Sequence, residues 1–339
     1  MTELNLFLPI TPYTLSIAEN LIESNIVLPK AKNILVNPHG LDYKNELWDE
    51  VYNGNCSREV SNNKFSRYLN FFKQILVFRR LNKQILKFKN VKISYYYVDL
   101  AHILSNSIFF NFCNIESRYI LEDGLLNYYK LSLKNKMLSK RSVNYLLVFF
   151  GLKTKKFEGD ITGIEMNIVN NQYVYFPKLA LVPGKSLQIP FNKYSYPLNN
   201  KVLVLGQEPI VSFISKNDYL NSLKKVITEV KKEFENFDFY YKPHHHGKKD
   251  LAKKTLKKEL GNSLFYIDEN QPIHKIIKNI QPSMVVSFGS TASLNLKLIL
   301  PDNIKSSVYL LRNNKLSVNK NLENLFSKMN INIIELDCV

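Results

Sequence analysis

Short apolar runs typical of strands alternate with helical apolar patterns, and this alternation most constrains what the chain can fold into. In the first block, strand-like runs lie at 5–10, 33–37, 91–98 and 117–121, with helical patterns after Thr11-Pro12 and over 65–88. In the second block, strand-like runs lie at 201–205, 238–242, 264–267, 284–288 and 307–312, with helical patterns over 217–234 and 273–280. Alternating strands and helices pack as mainly parallel sheets flanked by helices, so the sequence predicts an α/β protein.

The periodic pattern breaks down between the two blocks. Glycine and proline interrupt this stretch repeatedly, at Gly159, Gly163, Pro177, Pro183, Gly184, Pro190 and Pro197. Such a stretch is typical of a linker with at most a short hairpin. The sequence therefore predicts a first domain over 1–156, a linker over 157–200 and a second domain over 201–320. A terminal segment over 321–339, a helix and a short strand, is expected to cross back to the first domain.

Composition narrows the class of protein. The chain has 339 residues, 45% of them hydrophobic, with 21 Phe and 20 Tyr, which excludes a disordered or low-complexity chain. Its three cysteines are scattered and odd in number, so we expect reduced thiols and no disulfide framework. Neither a secretory leader nor an apolar run long enough to span a bilayer is evident, so a cytoplasmic location is expected.

The net charge of +17 has several possible explanations. Such a charge can attract nucleic acid, anionic lipid head groups or anionic substrates. It can also result from a Lys-rich composition that has become basic without any functional reason. No helix-turn-helix, zinc-finger or RNP signature accompanies it, so nucleic acid is not an expected partner. The aromatic and basic segment 65–88 can equally be a membrane-facing element or a packed amphipathic helix.

An acidic pair follows the last strand-like run of the first block. Glu122 and Asp123 precede Gly124, and the carboxyl ends of strands are where open α/β sheets bind ligands. A carboxylate here could act as the general base that removes a proton from an attacking hydroxyl. The alternative is a strand-ending turn with solvated acids, since Asp-Gly is a common turn pair.

A histidine cluster follows a strand of the second block. Lys242 and Pro243 lead into His244, His245 and His246 before Gly247. Successive side chains on a strand alternate sides, and no further ligands can be assigned, so no metal site is expected. An imidazolium beside backbone N–H groups could neutralise or protonate a phosphate that leaves with a nucleotide. The alternative is a polar loop without function.

A turn rich in small hydroxyl side chains follows another strand of this block. Gly289, Ser290 and Thr291 lie between a strand and a helix, where helix N–H groups and hydroxyls can bind a phosphate. It lacks the Gly-Lys-Ser/Thr ending of a Walker loop and the Gly-x-Ser-x-Gly of a nucleophile elbow. The alternative is an ordinary capped helix. Gly206 and Gln207, which end the first strand of this block, are further candidates by position.

The order of these motifs resembles that of bacterial sialyltransferases, namely the lipooligosaccharide enzymes of glycosyltransferase family 52 and the capsule polysialyltransferases of family 38. Those families carry an acidic pair with glycine, then a His-Pro motif, then a Ser/Thr-rich motif. The corresponding residues here are Glu122-Asp123-Gly124, His244-His245 and Ser290-Thr291. The resemblance implies a GT-B fold, in which two Rossmann-like domains face each other across a cleft, the first on the acceptor side and the second binding the CMP-sugar.

The same resemblance implies a metal-independent, inverting transfer of sialic acid from a CMP-linked donor to a glycan or glycolipid hydroxyl. No cofactor is expected. Asp123 matches the general base, with Glu122 supporting or replacing it, His244 matches the histidine at the CMP phosphate, and Ser290 and Thr291 hold the same phosphate. Peripheral contact with the inner face of an anionic membrane and a homodimer are further expectations.

At two positions the sequence departs from the family motifs, and these departures leave the identity of the transferred sugar undecided. His245 replaces the proline of the His-Pro motif, and His274 stands where a Pro-x-Glu contact to the nucleotide is expected. A related nonulosonic acid, such as pseudaminic or legionaminic acid, is therefore an alternative to sialic acid. Two other functions also stay open. One is a GT-B transferase that uses CMP-Kdo or a UDP-sugar, and the other is a non-catalytic protein that binds anions or nucleic acid.

Overall fold

The computed structural model describes residues 3–56, 64–131, 141–233, 236–244, 250–268, 273–312 and 320–337. The chain divides into two compact units, Met1–Pro190 and Phe191–Val339. Each unit is built on its own parallel sheet with helices, so the predicted α/β class is confirmed.

Unit 1 has a seven-stranded sheet in the order β3-β2-β1-β4-β5-β6-β7, and all its strand pairs are parallel. The strands are β1 (Glu3–Leu8), β2 (Lys32–Asn37), β3 (Glu50–Asn53), β4 (Lys92–Tyr97), β5 (Ile115–Leu121), β6 (Asn171–Val174) and β7 (Ser186–Gln188). The helices are α1 (Pro12–Glu23), α2 (Lys64–Ile85), α3 (Ile103–Asn111) and α4 (Arg141–Phe149). The strand order reverses between β1 and β4, which is the switch point of a Rossmann-like sheet.

Apolar side chains cover both faces of this sheet. Along β4, Tyr95 and Tyr97 pack into one core and Tyr96 packs into the other, where it stacks on Phe7 of β1 at 4.3 Å. Because both faces of the sheet are covered, side chains on both sides of β4 are buried. The strand is therefore a continuous apolar run in the sequence. At the end of β1, the Thr11 hydroxyl caps α1 by accepting the Thr14 N–H.

The segment 157–200 was expected to be a linker, and most of it belongs to unit 1 instead. It supplies β6 and β7, which extend the sheet beyond β5 with Tyr119 opposite Asn171 and Gln172 opposite Ser186. The two strands have only four and three residues, with Pro-initiated 3-10 turns between them. Runs this short show no recognisable period of two, which is why the sequence pattern fails there.

Unit 2 has a six-stranded sheet in the order β10-β9-β8-β11-β12-β13, again with parallel pairs throughout. The strands are β8 (Lys201–Leu205), β9 (Asp238–Lys242), β10 (Leu264–Tyr266), β11 (Met284–Ser287), β12 (Lys305–Arg312) and β13 (Asn332–Asp337). The helices are α5 (Lys216–Glu233), α6 (Lys253–Leu260), α7 (Ile273–Ile280), α8 (Thr291–Ile299) and α9 (Lys320–Lys328). Here the order reverses between β8 and β11.

The terminal segment 321–339 was expected to cross back to the first domain, and this is wrong for its described part. α9 and β13 belong to unit 2, where β13 pairs with β12 from Ser307 opposite Asn332 to Arg312 opposite Asp337. A strand, a crossover helix and a parallel strand form one βαβ unit, so pairing with the preceding strand is the local solution.

A hydrogen bond of the Tyr97 hydroxyl allows a test of whether the region after residue 157 is part of unit 1. It donates to the buried Thr162 carbonyl at 2.8 Å. Tyr97→Phe leaves that carbonyl without this donor, so we expect the free energy of unfolding, measured by urea denaturation, to fall by about 1–2 kcal/mol. Tyr145→Phe removes a hydroxyl from an exposed side chain and is the matched control. Equal stability of the two variants would contradict the contact.

Candidate functional site

The carboxyl end of β5 holds a buried glutamate. Glu122 is 1% exposed, and its carboxylate accepts the Tyr13 hydroxyl at 2.8 Å, the Tyr128 hydroxyl at 2.6 Å and the Tyr175 N–H at 2.7 Å. Burial raises the pKa of Glu122 to about 7, although the three hydrogen bonds act in the opposite direction. Both carboxylate oxygens are thus engaged, and they join the start of α1 to the ends of β5 and β6.

Asp123 differs from its neighbour in exposure. The residue is only partly buried, and its N–H donates to Asn127 Oδ1 at 2.9 Å. Gly124 follows with φ +69°, a conformation that favours glycine, and begins the 3-10 turn that ends at Asn127. The Asn127 amide donates in turn to Gln172 Oε1 at 3.1 Å. The acidic pair therefore splits into a buried anchor, Glu122, and an accessible carboxylate, Asp123.

A second buried glutamate, which the sequence reasoning missed, lies after β8. Glu208 is 1% exposed and accepts the Tyr241 hydroxyl on one oxygen and the His244 N–H, at 2.8 Å, on the other. The Tyr241 hydroxyl also lies 3.3 Å from the Tyr219 hydroxyl, which accepts the Gln207 N–H at 3.2 Å. This network ties the turn after β8 to the residue after β9, so Glu208 fixes the backbone at His244.

Gly206 is packed against the same network. A Cβ at this position would collide with the Tyr241 hydroxyl and lie 2.7 Å from Glu208 Oε1, and the Gly206 N–H donates to the Lys242 carbonyl at 2.8 Å. The absence of a side chain at Gly206 thus serves the packing of Tyr241. Beside it, Gln207 Oε1 is buried and has no hydrogen-bond partner within the described part of the chain.

The turn from β11 into α8 has the predicted cap. Gly289 has φ +78°, and the Ser290 hydroxyl accepts the Ala292 N–H at 3.2 Å as the N-cap of α8. Underneath, the Ser287 and Ser293 hydroxyls are buried and lie 2.5 Å apart. The turn is therefore fixed from both sides, with the first N–H groups of α8 at its edge.

Three candidate segments of unit 2 end side by side. Leu205, at the end of β8, pairs with Lys242 of β9 on one side and with Ser287 of β11 on the other. Neighbouring strands lie about 5 Å apart, so the three strand ends span about 10 Å. The gap between β8 and β11 is the switch point, where open α/β sheets bind ligands. The Lys242 ammonium donates to the Asp268 carbonyl at 3.3 Å.

Some predicted site residues cannot be assigned contacts. His245 lies outside the described residues, and so do the side chains of His274 and Thr291. The backbone of His274 lies in α7, and Thr291 begins α8.

Within the described residues, no group of three or more His, Cys, Asp or Glu side chains could hold a metal ion. Among the helices of the same ranges, none combines the length and the apolar character that crossing a membrane requires.

Known structures share the fold of the chain. The GT-B domain of a sialyltransferase from Photobacterium damselae is 11% identical, with 98% of this chain and 100% of that chain covered and a TM-score of 0.57. An α/β-galactoside α-2,3-sialyltransferase from Photobacterium phosphoreum is 10% identical, with 98% of each chain covered and a TM-score of 0.53. A UDP-GlcNAc 2-epimerase from Methanocaldococcus jannaschii is 12% identical, with 100% and 89% covered and a TM-score of 0.50.

No family model matches the sequence, and no curated protein matches it. Identities near one in ten show likeness of fold alone. Together with the two reversed parallel sheets, they establish that the chain has the GT-B fold of two Rossmann-like units, as the sequence predicts.

The buried carboxyl of Glu122 should make stability depend on pH. Its folded pKa of about 7 exceeds the ordinary value of 4.5, so its contribution to the free energy of unfolding is complete below pH 4.5 and is lost as pH rises to about 7. The loss corresponds to about 3 kcal/mol. Glu122→Gln cannot ionise, and its amide can face the Tyr13 hydroxyl, so urea denaturation should show this fall in the wild type and not in Glu122→Gln.

Glu46→Gln is the control for this experiment, because Glu46 is exposed and lies in the same unit. It should keep the wild-type fall in stability between about pH 4.5 and pH 7. The same fall in Glu122→Gln would show that Glu122 does not titrate as the burial implies.

Gly206→Ala tests the packing around Glu208. Its methyl group would meet the Tyr241 hydroxyl, so we expect the free energy of unfolding to fall by about 1–3 kcal/mol. Gly184→Ala is the matched control, since a Cβ there meets no atom within 4 Å. The control should stay within about 0.5 kcal/mol of the wild type. Urea denaturation compares them, and a neutral Gly206→Ala would refute the close approach.

Proposed function

We propose that the protein is a metal-independent, inverting glycosyltransferase that moves sialic acid, or a related nonulosonic acid, from a CMP-linked donor to a hydroxyl of a surface glycan. The observation that carries the proposal is the alignment of three candidate turns on the neighbouring strands β9, β8 and β11, at the switch point of unit 2. The motif order shared with families 52 and 38, and a fold shared with two Photobacterium sialyltransferases, support it.

Unit 2 is proposed to bind the nucleotide and its phosphate. His244 follows β9, and its backbone is fixed by Glu208, so an imidazolium there would face a defined position. The Ser290 hydroxyl and the first N–H groups of α8 offer donors to phosphate oxygens, and Lys242 adds positive charge. These groups would stabilise the negative charge that grows on CMP as it leaves. Gln207 Oε1, buried and without a partner among the described residues, is proposed to accept a donor N–H from the ligand.

Unit 1 is proposed to activate the acceptor. Asp123, as general base, takes the proton of the acceptor hydroxyl while that oxygen forms a bond to the anomeric carbon of the sugar. The bond from the same carbon to the CMP phosphate oxygen breaks with its electron pair, and CMP leaves. One displacement inverts the anomeric configuration. Glu122, with both oxygens engaged, positions this turn and does not replace Asp123.

A UDP-sugar is the second candidate donor. The observation that favours it is the shared fold with a protein described as a UDP-GlcNAc 2-epimerase. Both donors carry a pyrimidine ribonucleotide with an anionic phosphate, so the same turns of unit 2 could bind either. The donor assay therefore includes CMP-sialic acid, CMP-Kdo and UDP-GlcNAc.

The two proposed roles predict different kinetic defects. Asp123→Asn should lower transfer to a glycan acceptor about 100-fold or more, because the hydroxyl loses its base, while CMP binding measured by calorimetry is unchanged. His244→Ala should lower both transfer and the slow hydrolysis of the donor in water, because CMP leaves less readily. Release of CMP from CMP-sialic acid, with and without acceptor, measures both reactions.

Asp302→Asn is the matched control, since Asp302 is an exposed aspartate of unit 2 that pairs with Lys193, and it should keep wild-type rates. Full transfer by Asp123→Asn would remove the assignment of the base. If the wild type turned over UDP-GlcNAc and neither CMP-sugar, the second donor would replace the first.

A further inference from the structure

Two helices of unit 1 expose an unusual number of large apolar side chains. On α2 these include Tyr68, Leu69, Phe72 and Leu76, and on α4 they are Tyr145, Leu146, Val148 and Phe149. Tyr68 is 74% exposed, Tyr145 77% and Phe149 81%, so these rings lie almost wholly in solvent. We call these eight residues the aromatic face.

The pattern on α2 explains how one helix can be both packed and exposed. Its core side buries Ile75, Phe78, Leu81 and Ile85. Tyr68, Leu69, Phe72 and Leu76 recur at helical spacing and form a second stripe that points to solvent. One apolar side packed on the sheet would be enough to hold the helix, so packing in the core does not account for the second stripe.

Contacts between aromatic rings join the exposed parts of α2 and α4. Phe72 of α2 packs edge-on against Phe150, just after α4, with ring centroids 5.2 Å apart. Phe150 in turn contacts Phe149 at 5.3 Å. The aromatic face is therefore continuous across both helices, and contiguous exposed apolar surface of this kind marks an interaction site.

The charge around these two helices favours an anionic partner. The segments 60–98 and 124–157, which contain α2 and α4, carry nine and eight Lys or Arg residues, and neither contains Asp or Glu. On α2, Lys73, Arg79 and Lys83 are exposed and form no ion pair within the described ranges. Arg79 and Lys83 follow the apolar stripe at helical spacing and continue it toward the end of the helix.

We propose that the aromatic face and these basic residues dock the protein onto the surface of an anionic lipid bilayer. Tyr and Phe favour the interface between head groups and acyl chains, and Lys and Arg reach the head-group phosphates while their methylene stems stay in apolar surroundings. Attraction to anionic lipid then adds to the burial of apolar area. The exposed aliphatic side chains of Leu69, Leu76 and Val148 insert into lipid. They have no aromatic ring on which a nucleic-acid base could stack.

Vesicle co-sedimentation of the full-length protein tests this proposal without any turnover. The wild type should bind vesicles of phosphatidylcholine with phosphatidylglycerol much more tightly than vesicles of phosphatidylcholine alone, and added salt should weaken binding. Arg79→Glu/Lys83→Glu should lower the partition coefficient at least about 25-fold, since each basic residue near an anionic surface contributes about fivefold. Tyr145→Ser/Phe149→Ser should lower it at least about tenfold.

Matched controls lie in unit 2. Phe213→Ser removes an exposed ring, and Lys254→Glu/Lys257→Glu reverses two exposed charges of α6, and both should bind vesicles like the wild type. Thermal unfolding checks that every variant is folded, and CMP release with a soluble acceptor should be unchanged. Because vesicle binding is scored without donor, its failure and failure of the proposed transferase activity are separate results.

Three outcomes would overturn the proposal. The first is equal binding of the wild type to neutral and anionic vesicles. The second is wild-type vesicle binding by both face variants. The third is sedimentation equilibrium showing a dimer that Tyr145→Ser/Phe149→Ser converts to a monomer, because the aromatic face would then be covered by a second copy.

Discussion

A carboxylate buried at the end of a parallel strand must accept hydrogen bonds, because leaving its charge unsolvated costs several kcal/mol. Each unit holds such a glutamate, Glu122 after β5 and Glu208 after β8. Each is bound by a tyrosine hydroxyl and by the N–H of a residue that follows a neighbouring strand, Tyr175 or His244. The candidate turns thereby acquire fixed positions, and these two glutamates are the constraint on which the rest of both sites depends.

This constraint explains why two adjacent acids can have different roles. Glu122 is buried, which raises its pKa to about 7 and keeps its carboxylate out of reach of a sugar. Asp123 lies one residue further, past the point where the strand leaves the sheet, and stays partly exposed. A base must reach its substrate before its pKa matters. Accessibility therefore supports the proposed role of Asp123 as the base and the proposed role of Glu122 in positioning the turn.

Elements with a clear period were predictable from the sequence, and those that depend on distant pairing were not. The strands 201–205 and 238–242 and the helix 273–280 agree with the predicted bounds, because long apolar runs and helical stripes are local signals. β6 and β7 are too short to show a period, and their place in the sheet comes from the pairing of β6 with β5 and of β7 with β6. Glu208 precedes a proline after a strand, which indicates only a turn, and its role appears once β8 and β9 align Tyr241 with it.

The net charge of +17 does not by itself indicate a function, whereas the distribution of charged residues along the chain is informative. Acid-free stretches surround α2 and α4, whereas elsewhere in the chain acidic residues lie among the lysines and pair with them, as Glu23 does with Lys44 and Glu259 with Lys224. A general change toward a basic composition would lower the number of acidic residues evenly along the chain. It would not place exposed aromatic rings in the same two segments. The coincidence of exposed aromatics with stretches that lack acids therefore supports the proposed docking on an anionic surface, where each acidic residue would weaken binding.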